Sequence, residues 1–394
     1  MTAPGPDPVY DRFRPDDLAA FAYLLRQGFG IPHEDVERYR ALLGEDAYRV
    51  LRRDGRPVGA AAVWSMGQWF GGRPVPARAV AVVTADPTAR GSGLGTALMR
   101  GVLHEAAAEG CALSVLYGAT VPPYAKLGYA RAGSAIRYRA ASAALDAGPP
   151  PGGLRHLDPL DADRLVALRR AGGLADNGMV ERSEALWTML LRPGDAPPCD
   201  AFLVDGENGP EGYVVVRQPT DGRLTVVDVC LRGPSAARRV LGFLAGYRAQ
   251  ADSVVWPGGP EDPLAHLAAD SGAEIEEWED WLVRIVDVER ALALRGYPAG
   301  ITAALTLAVD DPLLAANRGR FRLCVANGRA AVERVAGSGP ADVVLPVAAL
   351  APLYTGHIGP AALARMGLLA ANDAGIAAAA QVFGGPRPWM ADRF

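Results

Sequence analysis

The sequence VTADPTARGSGLGT, residues 83–96, decides the fold of the N-terminal part of the chain. An apolar strand ends, Pro87 turns the chain, a glycine-rich loop follows, and a helix is predicted over Gly95 to Glu109. Three glycines at alternate positions let a ligand approach the backbone closely, because glycine has no Cβ. The N–H groups at a helix N-terminus favour an anion, and Arg90 adds a charged donor. The stretch predicts a phosphate or pyrophosphate site, with a plain glycine-rich turn as the alternative.

Two other phosphate motifs are absent from this stretch. The chain has no GxxxxGK[ST], and the glycines at 91, 93 and 95 lack the GxGxxG phase of a dinucleotide-binding fold. The segments around the loop predict a mixed α and β domain. Helices are expected over Asp16 to Gln27 and His33 to Leu43, a hairpin across Asp54-Gly55, and apolar strands over Arg78 to Ala85 and Cys111 to Leu116.

The length and composition limit the class of protein. At roughly 100–200 residues per domain, 394 residues predict two or three domains, and a hydrophobic content of 50% supplies their cores. The formal net charge of -4 argues against a nucleic-acid binder. The four cysteines form no CxxC or zinc spacing, so we expect no metal site and a cytoplasmic location. No apolar run is long enough to span a membrane, and no secretory signal is expected.

Two boundaries divide the chain in this prediction. A Pro/Gly cluster at 147–153 interrupts any helix or central strand, and a strand over Asp280 to Asp287 precedes a short helix over Val288 to Leu294. We therefore expect domains at 1–147, 153–285 and 286–394. The remaining predicted elements are strands over 201–204, 212–217, 224–231, 303–309, 319–325, 330–334 and 343–346, helices over 236–250, 363–369 and 374–383, and a hairpin turn at Asn327-Gly328.

Two motifs in the first domain resemble those of the GCN5-related N-acetyltransferases. Residues 90–95, RGSGLG, match the (Q/R)xxGx(G/A) loop of these enzymes. Residues 123–129, PYAKLGY, resemble the Y-x-x-x-G-[YF] segment that follows their fifth strand. The order and distance of the two motifs agree with that family.

Over its whole length the chain resembles the enhanced-intracellular-survival acetyltransferases. The resemblance rests on the three-part length, on LYTGH at 353–357 and on the ending WMADRF at 389–394. It implies an α/β (α+β) protein with two tandem acetyltransferase folds, each a mixed sheet flanked by helices, and a sterol-carrier-like C-terminal domain. The second copy is expected to be degenerate, because LRGPSAA at 231–237 lacks two of the loop glycines. The resemblance also implies a homohexamer.

The resemblance implies acetyl-coenzyme A as cosubstrate and assigns residues to it. The pantetheine arm would pair with the backbone of residues 83–85, and the pyrophosphate would lie on the loop and the start of the helix. The residues expected to bind the cofactor are Val83, Thr84, Ala85, Arg90, Gly91, Ser92, Gly93, Leu94, Gly95, Thr96, Ala119 and Thr120.

The family also assigns a general acid and a general base. Tyr124 occupies the position of the acid, whose phenol would protonate the leaving thiolate. The carboxylate of Phe394, the last residue, occupies the position of the base. Its reference pKa is about 3.3–3.7, and burial or the nearby Asp392 would raise it. His33 and Glu34 are the alternative bases. The alternative role of Tyr124 is that of an ordinary packing tyrosine, and the alternative for Phe394 is a frayed tail.

The acceptor is expected to be an amine of a polycationic small molecule such as an aminoglycoside. Phe29, Glu34, Trp64 and Trp69 are predicted to contact it, because acids attract cations and aromatic rings wall a pocket. The alternatives are a lysine, a polyamine or a single metabolite as acceptor. From another class, the chain could be a lipid-binding module with a vestigial transferase fold.

Overall fold

The computed structural model describes residues 7–145, 153–158, 160–171, 176–192, 197–268, 270, 272–337 and 339–394. Of the Pro/Gly cluster expected to separate the first two domains, residues 147–152 lie outside the described residues. The three domain limits therefore stay a prediction.

The N-terminal part contains the mixed elements expected from its sequence. The hairpin turn has Asp54 at φ 51° and Gly55 at φ 77°, the left-handed pair that a tight two-residue turn requires. The elements are β1 (Val9–Arg12), α1 (Leu18–Phe29), α2 (His33–Leu43), β2 (Tyr48–Arg53), β3 (Arg56–Phe70), β4 (Arg73–Ala85), α3 (Leu94–Ala108), β5 (Leu113–Tyr117), α4 (Pro122–Ala125) and β6 (Ala130–Ala141).

Two helices cover opposite faces of this part of the sheet. Phe21 and Leu24 of α1 are buried in one core with alternate residues of β3 such as Trp64. Met99 and Val102 of α3 are buried on the other side. Side chains alternate across a strand, so β3 contributes apolar groups to both cores. The result is a three-layer arrangement with the glycine-rich loop at the start of α3.

The middle part repeats the order of strands and helices. The predicted helix over 236–250 ends at Ala245 and continues as a 3₁₀ turn over Gly246–Ala249. The elements are β7 (Leu154–His156), α5 (Ala162–Ala171), β8 (Val180–Glu181), α6 (Glu184–Leu191), β9 (Cys199–Gly206), β10 (Gly209–Thr220), β11 (Arg223–Leu231), α7 (Pro234–Ala245), β12 (Ser253–Gly258), α8 (Pro263–Leu267) and β13 (Glu274–Ile285).

The first two parts exchange strands and form one continuous sheet. The order β4-β5-β13-β6-β12-β11 places β13 of the middle part between two strands of the first, while β6 pairs with β12. Trp281 of β13 is fully buried opposite Gly133 of β6, where an added Cβ would overlap the indole ring. Separating the two parts would therefore break β-ladders on both sides of β13.

The C-terminal part is a five-stranded sheet covered by helices. The turn at Asn327 (φ 52°) and Gly328 (φ 74°) joins β15 to β16 as expected. One helix, α10, was not predicted: nearly all its residues are buried, so it shows no amphipathic period. The elements are α9 (Val288–Leu294), β14 (Thr302–Asp310), β15 (Gly319–Ala326), β16 (Arg329–Val335), β17 (Val343–Pro346), α10 (Val347–Thr355), α11 (Pro360–Arg365), β18 (Ala370–Ala371) and α12 (Asp373–Phe383).

The expected helix over 363–369 is the one that the structure corrects most. It forms over Pro360–Arg365, starting three residues earlier and ending four earlier. Pro360 stands at the first helical position, where its missing N–H costs no hydrogen bond, and this defines the earlier start. No helix within the described ranges is long and apolar enough to cross a membrane.

Candidate active site

The edge of β4 opens just before the glycine-rich loop. Strands β4 and β5 run parallel and pair only from Ala77 with Leu113 to Val80 with Leu116. Two residues after Val80, Val82 has a φ of 47°, and the pairing of β4 with β3 shifts by one residue there. A β-branched residue in this region is a backbone outlier and marks a bulge. Residues 83–85 thus lie in β4 beyond the last pair with β5, where an extended ligand can add as a strand.

The loop after β4 presents backbone rather than side chains. Gly91 and Gly93 lie at φ 80° and 84°, and a Cβ added at Gly91, Gly93 or Gly95 would meet no protein atom within 4 Å. The N-cap residue of α3 is Gly93, which has no side chain to cap the helix, and the Ala97 N–H donates to the Gly93 carbonyl at 2.9 Å. The free N–H groups of this helix end therefore face an open space that suits an anion.

A cavity of about 530 Å³ lies against these groups. Most of the residues predicted to bind the cofactor line it: Val83, Thr84, Ala85, Gly91, Gly93, Gly95, Thr96, Ala119 and Thr120. Sequence reasoning missed Met99, Pro122, Pro123, Lys126 and Leu127, which also line it, because no local pattern brings α4 next to α3.

Three residues predicted to bind the cofactor do not line this cavity. Arg90 is exposed, and the exposed Ser92 donates its hydroxyl to the Ala89 carbonyl at 2.6 Å. Leu94 is only 2% exposed and packs with Leu51 in the core. Any contribution of Leu94 to a ligand is thus confined to its backbone.

Tyr124 lies on α4 at the wall of the same cavity. Its ring packs edge-on against Tyr129, with ring centroids 5.9 Å apart. A Cβ at Gly118 would come within 3.2 Å of the Tyr124 ring, so the glycine makes room for it. Burial raises the pKa of Tyr124 above its ordinary value, so its phenol keeps its proton at neutral pH. A half-buried, protonated phenol beside the ligand cavity can donate a proton.

The last residues of the chain dock against the first two parts and are not frayed. Met390 is fully buried, and its N–H donates to the Ser134 carbonyl at 3.0 Å. The hydroxyl of Tyr117 donates to the backbone carbonyl of Asp392 at 2.8 Å. Arg393 forms an ion pair with Glu277 at 2.7 Å.

A buried ion cluster holds Asp392 from the middle part. Arg182 donates to Asp392 at 2.5 and 3.2 Å and to Asp228 at 2.7 and 3.1 Å. Arg169 and Tyr213 also donate to Asp228, at 3.0 and 2.7 Å. The pKa of Asp228 lies far below its usual range: desolvation would raise it, but the two guanidiniums and the Tyr213 hydrogen bond outweigh that effect. The cluster thus sets the guanidiniums of Arg169 and Arg182 against the carboxylates of Asp228 and Asp392.

The Phe394 ring lies between two aromatic side chains of the first part. Its centroid is 5.4 Å from that of Trp64 and 5.7 Å from that of Tyr117, both edge-on. Tyr117 precedes Gly118, the residue against which Tyr124 packs. The two residues expected to be acid and base therefore both lie next to the end of β5.

Phe394 also lines a second cavity, of about 430 Å³, to which all three parts contribute. The first part supplies Tyr39 and residues 135–137, and the end of the chain supplies 390–394. The middle part supplies Leu186, Met189, Leu190, Arg217, Thr225, Val226, Val227, Val255, Trp256 and Pro257. Tyr124 is in the first cavity and Phe394 in the second, so the two candidate residues do not share a cavity.

The four residues expected to contact the acceptor do not come together. Trp64 touches Phe394, and its buried Nε1 has no hydrogen-bond partner among the described residues. Trp69, five residues along the same strand, points to the opposite face and donates to Glu181 at 2.7 Å. Phe29 and Glu34 are exposed. None of the four is among the residues lining the Phe394 cavity.

The open edge of β4, the uncapped helix end and the tyrosine together fit a long, anionic thioester. The side-chain-free backbone at positions 91, 93 and 95 leaves room for a pyrophosphate, and the bulged strand leaves an edge for the pantetheine arm. This fold and site define an acyltransferase that uses a coenzyme A thioester.

Comparison with known proteins identifies the family. Acetyltransferase (GNAT) domain models match residues 9–132 and 178–285, and a sterol carrier protein domain model matches 288–391. An uncharacterized N-acetyltransferase of Streptomyces griseus is 31% identical over 82% of this chain and 83% of its own length. The chain is therefore an N-acetyltransferase, and it belongs to the GCN5-related family, whose cosubstrate is acetyl-coenzyme A.

Solved structures show the same three-part architecture. A GCN5-related N-acetyltransferase from Anabaena variabilis superposes with a TM-score of 0.92 at 32% identity, covering 98% of this chain and 100% of its own. Eis1 from Mycobacterium abscessus superposes with a TM-score of 0.80 at 25% identity, covering 98% and 100%. The resemblance to the enhanced-intracellular-survival enzymes is thus confirmed.

Proposed function

We propose that the protein transfers the acetyl group of acetyl-coenzyme A to an amine of a small molecule, with Tyr124 as general acid and the carboxylate of Phe394 as general base. The observation that carries the proposal is the cavity beside the α3 N-terminus, which contains nine of the twelve predicted cofactor residues together with Tyr124. Acetyl-coenzyme A supplies an activated acetyl group. The backbone of 83–85 would hold its pantetheine arm, and the N–H groups from Gly91 to Thr96 its pyrophosphate.

Tyr124 supplies a proton to the departing sulfur. Its raised pKa, caused by burial, supports this role because the phenol stays protonated until the thiolate forms. The packing of its ring against Tyr129 fixes the direction of the hydroxyl. Tyr129 itself shares a hydrogen bond of 2.7 Å with Ser114 and is fully buried, so its hydroxyl is already satisfied.

The carboxylate of Phe394 would take a proton from the acceptor's ammonium group, and the resulting neutral amine would attack the thioester. An alkylamine with a pKa near 10.4 is neutral at pH 7 about once in 10^3.4 molecules, a cost of roughly 4–5 kcal/mol. A terminal carboxylate is a weak base in water and gains strength by burial. The docked tail supports the role, because it carries Phe394 onto Trp64 and Tyr117. His33 and Glu34 are exposed on α2 and remain the alternative bases.

Two classes of acceptor follow from different features. Polycationic amines such as aminoglycosides are the first, and the exposed Glu34 on α2 would attract them. A single metabolite is the second, and the arginines that line the Phe394 cavity favour it. We also propose a homo-oligomer, a hexamer by resemblance. Light scattering on the purified protein would measure its mass.

The experiment is a thiol-release assay with acetyl-coenzyme A and a panel of aminoglycosides, polyamines, lysine peptides and amino acids. Two variants separate the carboxylate of Phe394 from its ring. Adding one glycine after Phe394 moves the carboxylate and keeps the ring, while Phe394→Ala does the reverse. We expect the glycine extension to lower kcat by at least 100-fold, at unchanged acetyl-coenzyme A affinity.

Full turnover by the extended chain would refute Phe394 as base and shift the assignment to His33 or Glu34. Thiol release with no amine of the panel, despite tight cofactor binding, would refute the acceptor class. If the wild-type protein did not bind acetyl-coenzyme A at all, the result would favour the lipid-binding alternative.

A further inference from the structure

The Phe394 cavity contains one positive charge that no described carboxylate balances. Arg137 pairs with Glu277 at 3.2 Å, and Arg393 pairs with Glu277 at 2.7 Å and with Glu279 at 3.8 Å. Asp392 is paired with the buried Arg182 at 2.5 Å. Within the described part of the chain, the guanidinium of Arg217 contacts only the Cys199 sulfur, at 3.9 Å, and its buried Nε has no hydrogen-bond partner.

A regular strand positions Arg217 to recognise a ligand. It lies on β10, directly opposite Thr225 of β11 in the ladder, so both side chains leave the same face of the sheet. Both residues line the cavity, and Leu186, Met189 and Leu190 of α6 form an apolar wall of it. The cofactor's phosphates do not need this arginine, because the α3 N-terminus lies in the other cavity.

We propose that Arg217 binds a carboxylate of the acceptor, so that the preferred acceptors are compact amino acids with an apolar body. Arg217 is half-buried, and its buried Nε without a partner among the described residues is costly. A carboxylate matches the planar donors of a guanidinium. The volume of about 430 Å³ lies at the small end of ligand pockets, which span roughly 300–1,000 Å³. This inference rests on the proposed function and chooses between its two classes of acceptor.

The test uses pairs of acceptors that differ only by a carboxylate: lysine with cadaverine, and tryptophan with tryptamine. Wild-type full-length protein should prefer the amino acid of each pair by about 10- to 100-fold in kcat/KM, the worth of a charge-assisted hydrogen bond. Arg217→Met should abolish the preference through KM for the amino acid, and Arg217→Lys should keep part of it. Arg232→Met, at an exposed position just after β11, is the matched control and should change kcat/KM for neither member of a pair.

Equal or better use of cadaverine and tryptamine by the wild type would overturn the inference. So would an Arg217→Met variant that slows both members of a pair equally. If no member of either pair is acetylated, the broader amine panel tests the proposed function, and calorimetry decides the inference separately. Weaker binding of the amino acid alone to Arg217→Met would support it, whereas unchanged binding would refute it.

Discussion

The substitution Asp392→Asn tests whether the buried ion cluster delivers the end of the chain to the site. Asp392 accepts two hydrogen bonds from Arg182, at 2.5 and 3.2 Å, and the cluster holds two arginines against two aspartates. Asparagine has nearly the same shape and keeps one acceptor, so packing is conserved. The change leaves one uncompensated charge in a buried site.

The expected magnitude follows from that charge. Breaking a buried ion pair costs about 3–5 kcal/mol, and each 1.4 kcal/mol is about tenfold in an equilibrium constant. Because Asp392 is near the end of the chain, release of the tail lets water reach Arg182 at little cost to the rest of the fold. The docking equilibrium should therefore weaken by about two to three powers of ten, and kcat should fall by at least about tenfold.

Three measurements on one variant check this reasoning. Thiol-release kinetics should show the lower kcat with an unchanged KM for acetyl-coenzyme A, limited proteolysis should cleave the tail faster, and Tm should move little. Asp310→Asn removes a carboxylate that is 71% exposed and is the control. A released tail with unchanged kcat would refute the role of Phe394. A docked tail with a large fall in Tm would show that the cluster stabilises the middle part instead.

Three further changes have expected outcomes. Tyr124→Phe should lower kcat by about 10²-fold at unchanged KM for acetyl-coenzyme A, because the general acid is lost; unchanged kcat in steady-state assays would exclude that role. Gly93→Ala should weaken acetyl-coenzyme A binding in calorimetry, because alanine at φ 84° strains the loop by about 1–2 kcal/mol; Gly272→Ala, at φ 76° and not among the residues that line the cavity, is the control and should not change binding. Burial raises the pKa of Asp262 from 3.8 to about 6, so the folded state binds its proton more tightly and stability should fall as pH rises from about 4 to 6. Asp262→Asn, which keeps the acceptor for Trp256, should remove that contribution of about 3 kcal/mol from Tm profiles between pH 4 and 7, and an unaltered profile would contradict it.

Much of the local structure follows from short-range rules. The hairpins at Asp54-Gly55 and Asn327-Gly328 and the helix start after Gly93 form where turn and glycine chemistry predict them. The cavity beside α3 also collects the three glycines of the glycine-rich loop. The assignment of Tyr124 as acid and Phe394 as base, by contrast, rests on the resemblance, because no local pattern connects two residues so far apart in sequence.

The sequence by itself determined many of the strands, helices and turns, the acetyltransferase motifs and the presence of more than one domain. Only the tertiary structure decided that β13 inserts between β5 and β6, that Trp69 faces away from Trp64, and that Arg217 lines the cavity of Phe394. The physical reason is that turn and helix preferences act over a few residues and leave a pattern in the sequence. Strand order, tail docking and charge balance depend on contacts between distant residues, and no local pattern records which ones will meet.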